Sequence, residues 1–280
     1  MPRRELILDK TSRGATIRSI DVGGRPLRVV TWRLGAKSDH PPLLFFNGIG
    51  ANAETIAPLA KQLNDRAFVT VDMPGIGRSP DCAVPYNLVS MAWGMSRVLK
   101  ELGLDTVDVM GFSWGGALAQ QFALQCATYV RKVVLAATFP GMFAVPGDPM
   151  ALARTMVAQH RRDAGYFSEA IMSERSKTAL VAESDTGAML IAPSARGLLY
   201  QLLAITGWTS LPFLPFLSKP VLVVAGEDDR IVPPANTELL ARAIPGAERV
   251  LIPGAEHMLL LTHTGEVVSR LRAFLDRAET

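Results

Sequence analysis

Ser113 lies at the centre of the pattern Gly111-Phe112-Ser113-Trp114-Gly115, between an apolar run typical of a buried strand and a run typical of a helix. A serine at such a junction projects its hydroxyl from a sharp, strained turn known as a nucleophile elbow. The glycines two residues before and two residues after remove the Cβ atoms that would clash in that turn. The pattern predicts that Ser113 is a nucleophile, and the alternative is an ordinary glycine-rich turn.

A serine hydroxyl is a weak nucleophile until an adjacent base accepts its proton. The sequence contains four histidines, His40, His160, His257 and His263. In chains with a nucleophile elbow, the acid and then the histidine follow the serine. His257 fits this order best, because it lies in a turn after the last apolar run, 248–252. His263, next to the start of the final helix, is the weaker candidate.

The acid that orients the histidine should follow a strand between the serine and the histidine. Three carboxylates, Glu227, Asp228 and Asp229, follow the apolar run 220–225 and Gly226. The spacing favours Asp229, which is three residues after the glycine and shortly before an apolar residue and a proline, and Asp228 is the alternative. Such an acid holds the imidazole in the correct tautomer and stabilises the imidazolium.

Acyl transfer also needs hydrogen-bond donors for the developing oxyanion. One donor is expected to be the backbone N–H of Trp114, the residue after the nucleophile. The other is expected from the loop after the apolar run 43–46, where the N–H of Ile49 is the favoured candidate. In the same loop, Asn47 and Gly48 are candidate substrate-binding residues, and the Asn47 side chain could also brace the loop.

These residues require a scaffold in which several strands end at one edge. Apolar runs at 43–46, 67–72, 106–111, 132–137, 220–225 and 248–252 alternate with helical periodicities at 53–64, 88–101, 114–127, 235–243 and 265–277. This alternation predicts a parallel sheet with helices on both faces. Two further runs, 16–22 and 27–33, flank Gly23-Gly24 and predict a β-hairpin. The expected fold class is α/β, with a mostly parallel eight-stranded sheet.

The alternation stops over residues 139–217. There, helical periodicities at 150–160, 166–182 and 195–205 are broken by proline and glycine. We expect residues 1–138 and 218–280 to form a core domain and residues 139–217 to form a helical cap inserted after the sixth strand. Most apolar side chains of this segment are expected to pack against the core, but together they predict an apolar crevice suited to an aliphatic acyl chain. Phe143 and Trp208 are its candidate substrate-binding residues.

Composition narrows the possible classes of function. The 280 residues are 49% apolar with a net charge of +3. Because basic residues do not alternate with aromatic ones in any run, nucleic-acid binding is not expected. No apolar stretch approaches the ~20 residues of a membrane span, and the N-terminus lacks the apolar region of a secretory signal, so we expect a cytoplasmic protein. No disulfide framework, metal-ligand cluster or phosphate-binding loop is evident, so no cofactor is expected.

Longer strings resemble the α/β-hydrolase superfamily and, within it, the intracellular medium-chain-length polyhydroxyalkanoate depolymerases. These strings are LLFFNGIGANAE (43–54), SWGGALAQQFA (113–123), VVLAATFPGMFAVPG (133–147), YQLLAITGWTS (200–210) and VLVVAGEDDRIVP (221–233). The resemblance implies an α/β-hydrolase fold that hydrolyses the ester bonds of a stored aliphatic polyester at cytoplasmic granules, with Ser113, Asp229 and His257 as the triad. Glu256 stands where the family usually has glycine, which could alter the loop that carries His257.

Other functions on the same scaffold remain open from the sequence. A general carboxylesterase or lipase-like enzyme, or a C–C bond hydrolase acting on small substrates, can use the same three residues. Epoxide hydrolases and dehalogenases of this fold usually carry aspartate at the elbow, so Ser113 argues against them. A non-catalytic ligand-binding protein is the alternative from another class, because fold does not determine function.

Overall fold

An eight-stranded sheet forms the centre of the computed structural model, which describes residues 14–151, 153–154 and 191–278. The strands are β1 (Ala15–Asp21), β2 (Pro26–Trp32), β3 (Leu43–Phe46), β4 (Phe68–Val71), β5 (Val107–Phe112), β6 (Val130–Ala136), β7 (Val221–Gly226) and β8 (Glu248–Ile252). Their order in the sheet is β1-β2-β4-β3-β5-β6-β7-β8. Strand β2 runs antiparallel to both of its neighbours, whereas the strands β3 to β8 all run parallel to one another. The predicted hairpin and the predicted mostly parallel sheet are confirmed.

Helices follow the strands at nearly the predicted positions. Numbered among the described residues, they are α1 (Ala57–Gln62), α2 (Leu88–Leu102), α3 (Trp114–Gln125), α4 (Ala195–Ile205), α5 (Pro234–Ala243), α6 (Leu259–Thr262) and α7 (Thr264–Leu275). The helix predicted at 53–64 begins as a 3₁₀ turn, Ala53–Ile56, before α1. Helix α2 begins at a reciprocal capping box between Asn87 and Ser90 and ends at Gly103 in the left-handed conformation, which are the expected signals at both ends.

The short strand β3 shows why the central strands are apolar throughout. Successive strand side chains point to opposite faces, so Leu44 and Phe46 pack in the layer that contains α2, α3 and α5. Leu43 and Phe45 pack in the layer that contains α1, α6 and α7. Because helices cover both faces, all four side chains are buried, as is typical of parallel sheets.

The residues between β6 and β7, here called the β6–β7 insertion, correspond to the predicted cap. Helix α4 forms where the periodicity at 195–205 predicted it, whereas the helices predicted at 150–160 and 166–182 fall largely outside the described residues. Two parts of the insertion are joined near its ends. The Met142 N–H donates to the Trp208 carbonyl (2.9 Å), and the Ser210 N–H donates to the Pro140 carbonyl (3.0 Å). Of the helices described, none is long and apolar enough to cross a bilayer.

A buried ion-pair network joins β2 to the turns after β3 and β4. The Arg28 guanidinium donates to Asp72 (2.9 Å) and to Glu54 (2.6 Å), and Asp72 accepts from the backbone N–H groups of Ala53 (2.7 Å) and Arg78 (3.1 Å). Burial raises the pKa of the Asp72 carboxyl above its usual value, although the Arg28 guanidinium opposes that rise. These contacts suit a carboxylate that stabilises the turn.

Replacing Arg28 should therefore leave the Asp72 carboxylate buried without its cationic partner. We expect Arg28→Met to lower the free energy of unfolding by about 3–5 kcal/mol, the usual cost of breaking a buried pair from one side. The matched control is Arg242→Met, which breaks an exposed pair with Glu238 and should change stability by less than about 1 kcal/mol. Urea unfolding followed by circular dichroism measures both. Equal effects of the two substitutions would contradict a stabilising role for the network.

Helix α3 begins in close backbone contact with β3. A Cβ atom on Gly115 would overlap the carbonyl oxygens of Phe46 and Asn47, and one on Gly111 would overlap the Gly115 carbonyl. A Cβ atom on Gly116 would overlap the Thr138 side chain. Glycine at these positions lets the first turn of α3 lie directly against the end of β3.

Gly115→Ala should push the first turn of α3 away from the end of β3. We expect a loss of at least about 1–3 kcal/mol in the free energy of unfolding, because the overlapping atoms are backbone and cannot rotate away. Gly265→Ala is the matched control, since that glycine lies near the start of α7 with open space around it. There, alanine should leave stability unchanged or raise it by up to about 1 kcal/mol. A Gly115→Ala protein with the urea midpoint of the wild type would show that the contact is not tight.

Candidate active site

Ser113 is the single residue between the end of β5 and the start of α3. Its φ of 53° and ψ of −119° are unusual for a residue with a side chain, and such strain persists only where the surrounding structure holds it. The Ser113 N–H donates to the Ala136 carbonyl (2.9 Å), while the Ser113 carbonyl accepts from the Thr138 hydroxyl (2.7 Å) and the Gly116 N–H (2.9 Å). These bonds fix the backbone on both sides of the serine hydroxyl.

His257 lies in the loop between β8 and α6, and its Nε2 lies 3.1 Å from Ser113 Oγ. Its ring packs against the Phe112 ring, with 5.1 Å between the centroids, and its side chain is buried. The His257 loop also contacts the end of β7, where the Asp228 N–H donates to the Ala255 carbonyl (2.9 Å). This contact places the two loops after β7 and β8 side by side.

Asp229 completes the chain of hydrogen bonds. Its Oδ2 lies 2.8 Å from His257 Nδ1, and its Oδ1 accepts from the backbone N–H groups of Ile231 (2.9 Å) and Val232 (2.8 Å). The carboxylate is fully buried. The other two candidate acids, Glu227 and Asp228, are exposed, so the structure brings Asp229 and neither of its neighbours to the histidine.

His40 lies apart from this chain of hydrogen bonds. His40 lies near Asp65 and Asp276, and their ligand atoms are close enough together to hold a cation. Both carboxylates are already paired with arginines, however: Asp65 with Arg66 and Arg272, and Asp276 with Arg66. These positive charges make the cluster an ion-pair network rather than a metal site.

His263, between α6 and α7, forms no hydrogen bond with Ser113 or Asp229 in the described contacts. His263 Nδ1 lies 2.9 Å from the Thr262 hydroxyl at the start of α7. His160 lies outside the described residues.

The loop after β3, residues 47–51, lies beside Ser113. A Cβ atom placed on Gly48 would be 3.7 Å from the Ser113 Cβ and in close contact with the Phe112 ring. The Asn47 amide donates to the Asn52 carbonyl (2.7 Å) and the Thr55 hydroxyl (3.1 Å), so this side chain braces its own loop. Ile49 lies within the same loop.

Trp114 begins helix α3 directly after Ser113. Its backbone N–H is one of the first four of the helix, which lack intrahelical acceptors and can serve an anionic group. The oxyanion roles of Ile49 and Trp114 remain predictions.

The structure reveals a buried glutamine that sequence reasoning missed. Gln201, on α4, accepts the Gly50 N–H at its Oε1 (2.7 Å), and its backbone carbonyl accepts the Trp114 indole N–H (2.7 Å). The signal in the sequence was a single amide side chain inside the apolar helical run LLYQLLAI. Nothing in that run identifies its partners.

A second missed residue, Asn236 on α5, ties the β6–β7 insertion to the loop that carries Asp229. Its side chain forms two hydrogen bonds with the backbone of Val145, each 2.8 Å. Close by, the Asp148 N–H donates to the Arg230 carbonyl (2.8 Å). The start of the insertion is therefore fixed to the acid loop.

The two candidate substrate-binding residues of the insertion occupy different environments. Phe143 is exposed. Trp208 is half-buried, and its indole N–H donates to the Gln121 side chain on α3 (2.9 Å). The roles of Phe143, Trp208, Asn47 and Gly48 in binding substrate stay predictions.

Comparison with known proteins agrees with this architecture. The sequence matches the family described as alpha/beta hydrolase fold over residues 41–264. It is 36% identical over 269 residues to a poly(3-hydroxyalkanoate) depolymerase of Ectopseudomonas oleovorans, covering 93% of this chain and 92% of that protein. It is 28% identical to a pimeloyl-[acyl-carrier protein] methyl ester esterase of Xanthomonas oryzae pv. oryzae, covering 84% of this chain and 95% of that protein.

Solved structures show the same fold at lower sequence identity. The enol-lactonase from Burkholderia xenovorans LB400 aligns with a TM-score of 0.78 at 19% identity, covering 93% of this chain and 100% of that one. An alpha/beta hydrolase fold protein from Chitinophaga pinensis aligns with a TM-score of 0.78 at 23% identity, covering 95% and 99%. The sheet order, the serine between β5 and α3 and these matches together show that the chain belongs to the alpha/beta hydrolase fold family.

Proposed function

We propose that this protein is a serine-dependent carboxylic ester hydrolase that acts through an acyl-enzyme, with an aliphatic 3-hydroxyacyl polyester or its oligomers as substrate. The observation that carries the proposal is the chain of hydrogen bonds from Asp229 through His257 to Ser113. A buried carboxylate, an imidazole and a strained serine in this arrangement are the parts that acyl transfer needs.

In the first half of the proposed reaction, the Ser113 hydroxyl passes its proton to His257 Nε2 as Oγ attacks the ester carbonyl carbon. The Asp229 carboxylate accepts the Nδ1–H throughout and stabilises the imidazolium. Negative charge forms on the former carbonyl oxygen, where the N–H groups of Ile49 and Trp114 are the proposed donors. The ester C–O bond then breaks, and the leaving alkoxide takes the proton from His257 Nε2.

In the second half, water repeats the sequence on the acyl-enzyme. His257 Nε2 accepts a proton from the water as its oxygen attacks the acyl carbon, and the Ser113 Oγ leaves and is reprotonated from the imidazolium. The products are a carboxylic acid and the free hydroxyl of Ser113. Neither half of the reaction requires a cofactor, because the His257 imidazole accepts each proton and then donates it to the leaving group.

Two observations support an aliphatic polyester as the substrate. The first is the 36% identity to a poly(3-hydroxyalkanoate) depolymerase over nearly the full length of both proteins. The second is the exposure of large apolar side chains in the described parts of the insertion: Met142, Phe143, Val145, Met150, Leu199, Leu203, Phe213 and Phe216. Exposed apolar side chains in this segment suit an aliphatic substrate.

A second candidate is an esterase for small soluble substrates. The 28% identity to a methyl ester esterase over most of both chains favours it. The same serine, histidine and aspartate would act in the same order, so only the substrate distinguishes the two candidates. Assays on polymer and on soluble esters therefore decide between them.

If Asp229 orients His257, replacing one of its carboxylate oxygens with an amide nitrogen should lower kcat strongly. In Asp229→Asn, the amide N–H₂ would face His257 Nδ1, so the proton would move to Nε2 and His257 could no longer accept the serine proton. We expect kcat on p-nitrophenyl octanoate to fall by about 10³–10⁴-fold. Asp228→Asn is the matched control, because this neighbouring carboxylate is exposed, and it should keep kcat within about twofold of the wild type. A comparable loss in both variants would contradict the assignment.

The polymer proposal predicts clearing of amorphous medium-chain polyhydroxyalkanoate granules by the wild-type protein. The apolar surface of the insertion should also favour p-nitrophenyl esters of longer acyl chains over acetate, because each added methylene buries more apolar area. Ser113→Ala is the control and should abolish both activities. Turnover of soluble esters with intact granules would reject the polyester and leave the small-ester esterase.

A further inference from the structure

Gln201 is a buried polar side chain in a helix whose neighbouring residues are apolar. Its side chain is 1% exposed, and burying an amide without partners carries a large free-energy cost. Its Oε1 accepts from the Gly50 N–H, and its backbone carbonyl accepts from the Trp114 indole. A single residue of the β6–β7 insertion thus contacts both the loop after β3 and the start of α3.

These two contacts reach the two segments that supply the proposed oxyanion donors. Gly50 is the residue after Ile49, and its φ of 70° places it in the left-handed region. The short loop 47–51 contains two glycines, which restrict the backbone little. Asn47 braces the start of this loop through its side chain, whereas Gln201 holds its far end.

Helix α4 is itself fixed against the core, so Gln201 has a rigid base. Its first turn is capped by Ser194, whose hydroxyl accepts the Gly197 N–H (2.8 Å) and whose N–H donates to the Gly75 carbonyl (2.8 Å). Gly197 packs directly against the Gly75 backbone, with no room for a Cβ atom. Residues four apart share one face of a helix, so Gly197 and Gln201 both face the core.

We propose that Gln201 is a positioning residue that holds the Ile49 N–H in line with the Trp114 N–H, so that both donors converge on one oxyanion. This inference rests on the proposed function. The oxyanion develops in the transition state and is absent from the bound ester, so a displaced donor lowers kcat and changes KM little. Gln201 touches neither Ser113 nor His257 in the described contacts, and its effect is transmitted through Gly50.

The test compares two substitutions of similar size. Gln201→Met removes the acceptor, and Gln201→Glu keeps an oxygen at the position that accepts the Gly50 N–H. Removing an oxyanion donor outright costs about 10²–10³ in kcat, so we expect displacement in Gln201→Met to cost about 10–10²-fold on p-nitrophenyl octanoate, with KM within about twofold. Gln201→Glu should recover most of this loss.

A matched control separates positioning from stability. Gln120 is equally buried and bonds to the carbonyls of Gly116 and Phe139 and to the Ser210 hydroxyl, with no hydrogen bond to the loop 47–51. Gln120→Met should lower the melting temperature at least as much as Gln201→Met and reduce kcat far less. Amide hydrogen exchange gives a readout independent of turnover: exchange at Gly50 should accelerate in Gln201→Met and stay slow in Gln120→Met.

The proposal is overturned if Gln201→Met keeps the wild-type kcat, or if Gln120→Met loses as much kcat as Gln201→Met. It is also overturned if the loss appears in KM alone or if Gly50 exchange does not change. Failure of the proposed function has a different signature, because the wild-type protein itself would then hydrolyse no ester. An active wild type, an inactive Ser113→Ala and a fully active Gln201→Met would reject this inference alone.

Discussion

The backbone conformation of Ser113 is the constraint on which the rest of the site depends. A residue with a side chain at φ 53° is strained, at a cost of about 1–3 kcal/mol, and the structure holds it from three sides. The N–H bonds to β6, the carbonyl accepts from Thr138, and Gly115 lets α3 begin directly against β3. Without the glycines, the helix could not start one residue after the strand, and the hydroxyl would not face the histidine.

The parallel sheet completes the site around Ser113, because it brings loops that are distant in sequence to one edge. Strands β3, β5, β7 and β8 end in the loops that carry Asn47 to Ala51, Ser113, Asp229 and His257 respectively. The carboxyl ends of parallel strands are where ligands of open α/β sheets bind. Asp229 needs no nearby cation, because two backbone N–H groups and the imidazole satisfy its oxygens. The β6–β7 insertion also contacts this edge, where Gln201 bonds to Gly50 and Val145 bonds to Asn236 on α5.

Local patterns made much of this predictable from the sequence. Four apolar residues in a row predicted β3, Gly23-Gly24 predicted the hairpin turn, and the strand–Gly-x-Ser-x-Gly–helix pattern predicted the junction at Ser113, since each pattern reflects a constraint within a few residues. Hydrogen-bond partners that are distant in sequence could not be predicted from such local patterns. Gln201 and Gly50 are 151 residues apart, and Asn236 and Val145 are 91 apart, so a polar residue in an apolar helix indicates a buried hydrogen bond but not its partner. The choice of Asp229 over Asp228 rests on a turn in which Ile231 and Val232 direct their N–H groups back to one carboxylate.

Covalent labelling with a fluorophosphonate, mapped by mass spectrometry of peptides, tests directly whether Ser113 is an activated nucleophile. The reagent reacts with a serine whose proton is accepted by an adjacent base, and it does so whether the natural substrate is a polymer or a small ester. We expect one adduct per folded chain, on the peptide that contains Ser113. A folded chain that forms no adduct, or that forms it on another residue, would contradict the assignment of Ser113, His257 and Asp229 as a catalytic unit.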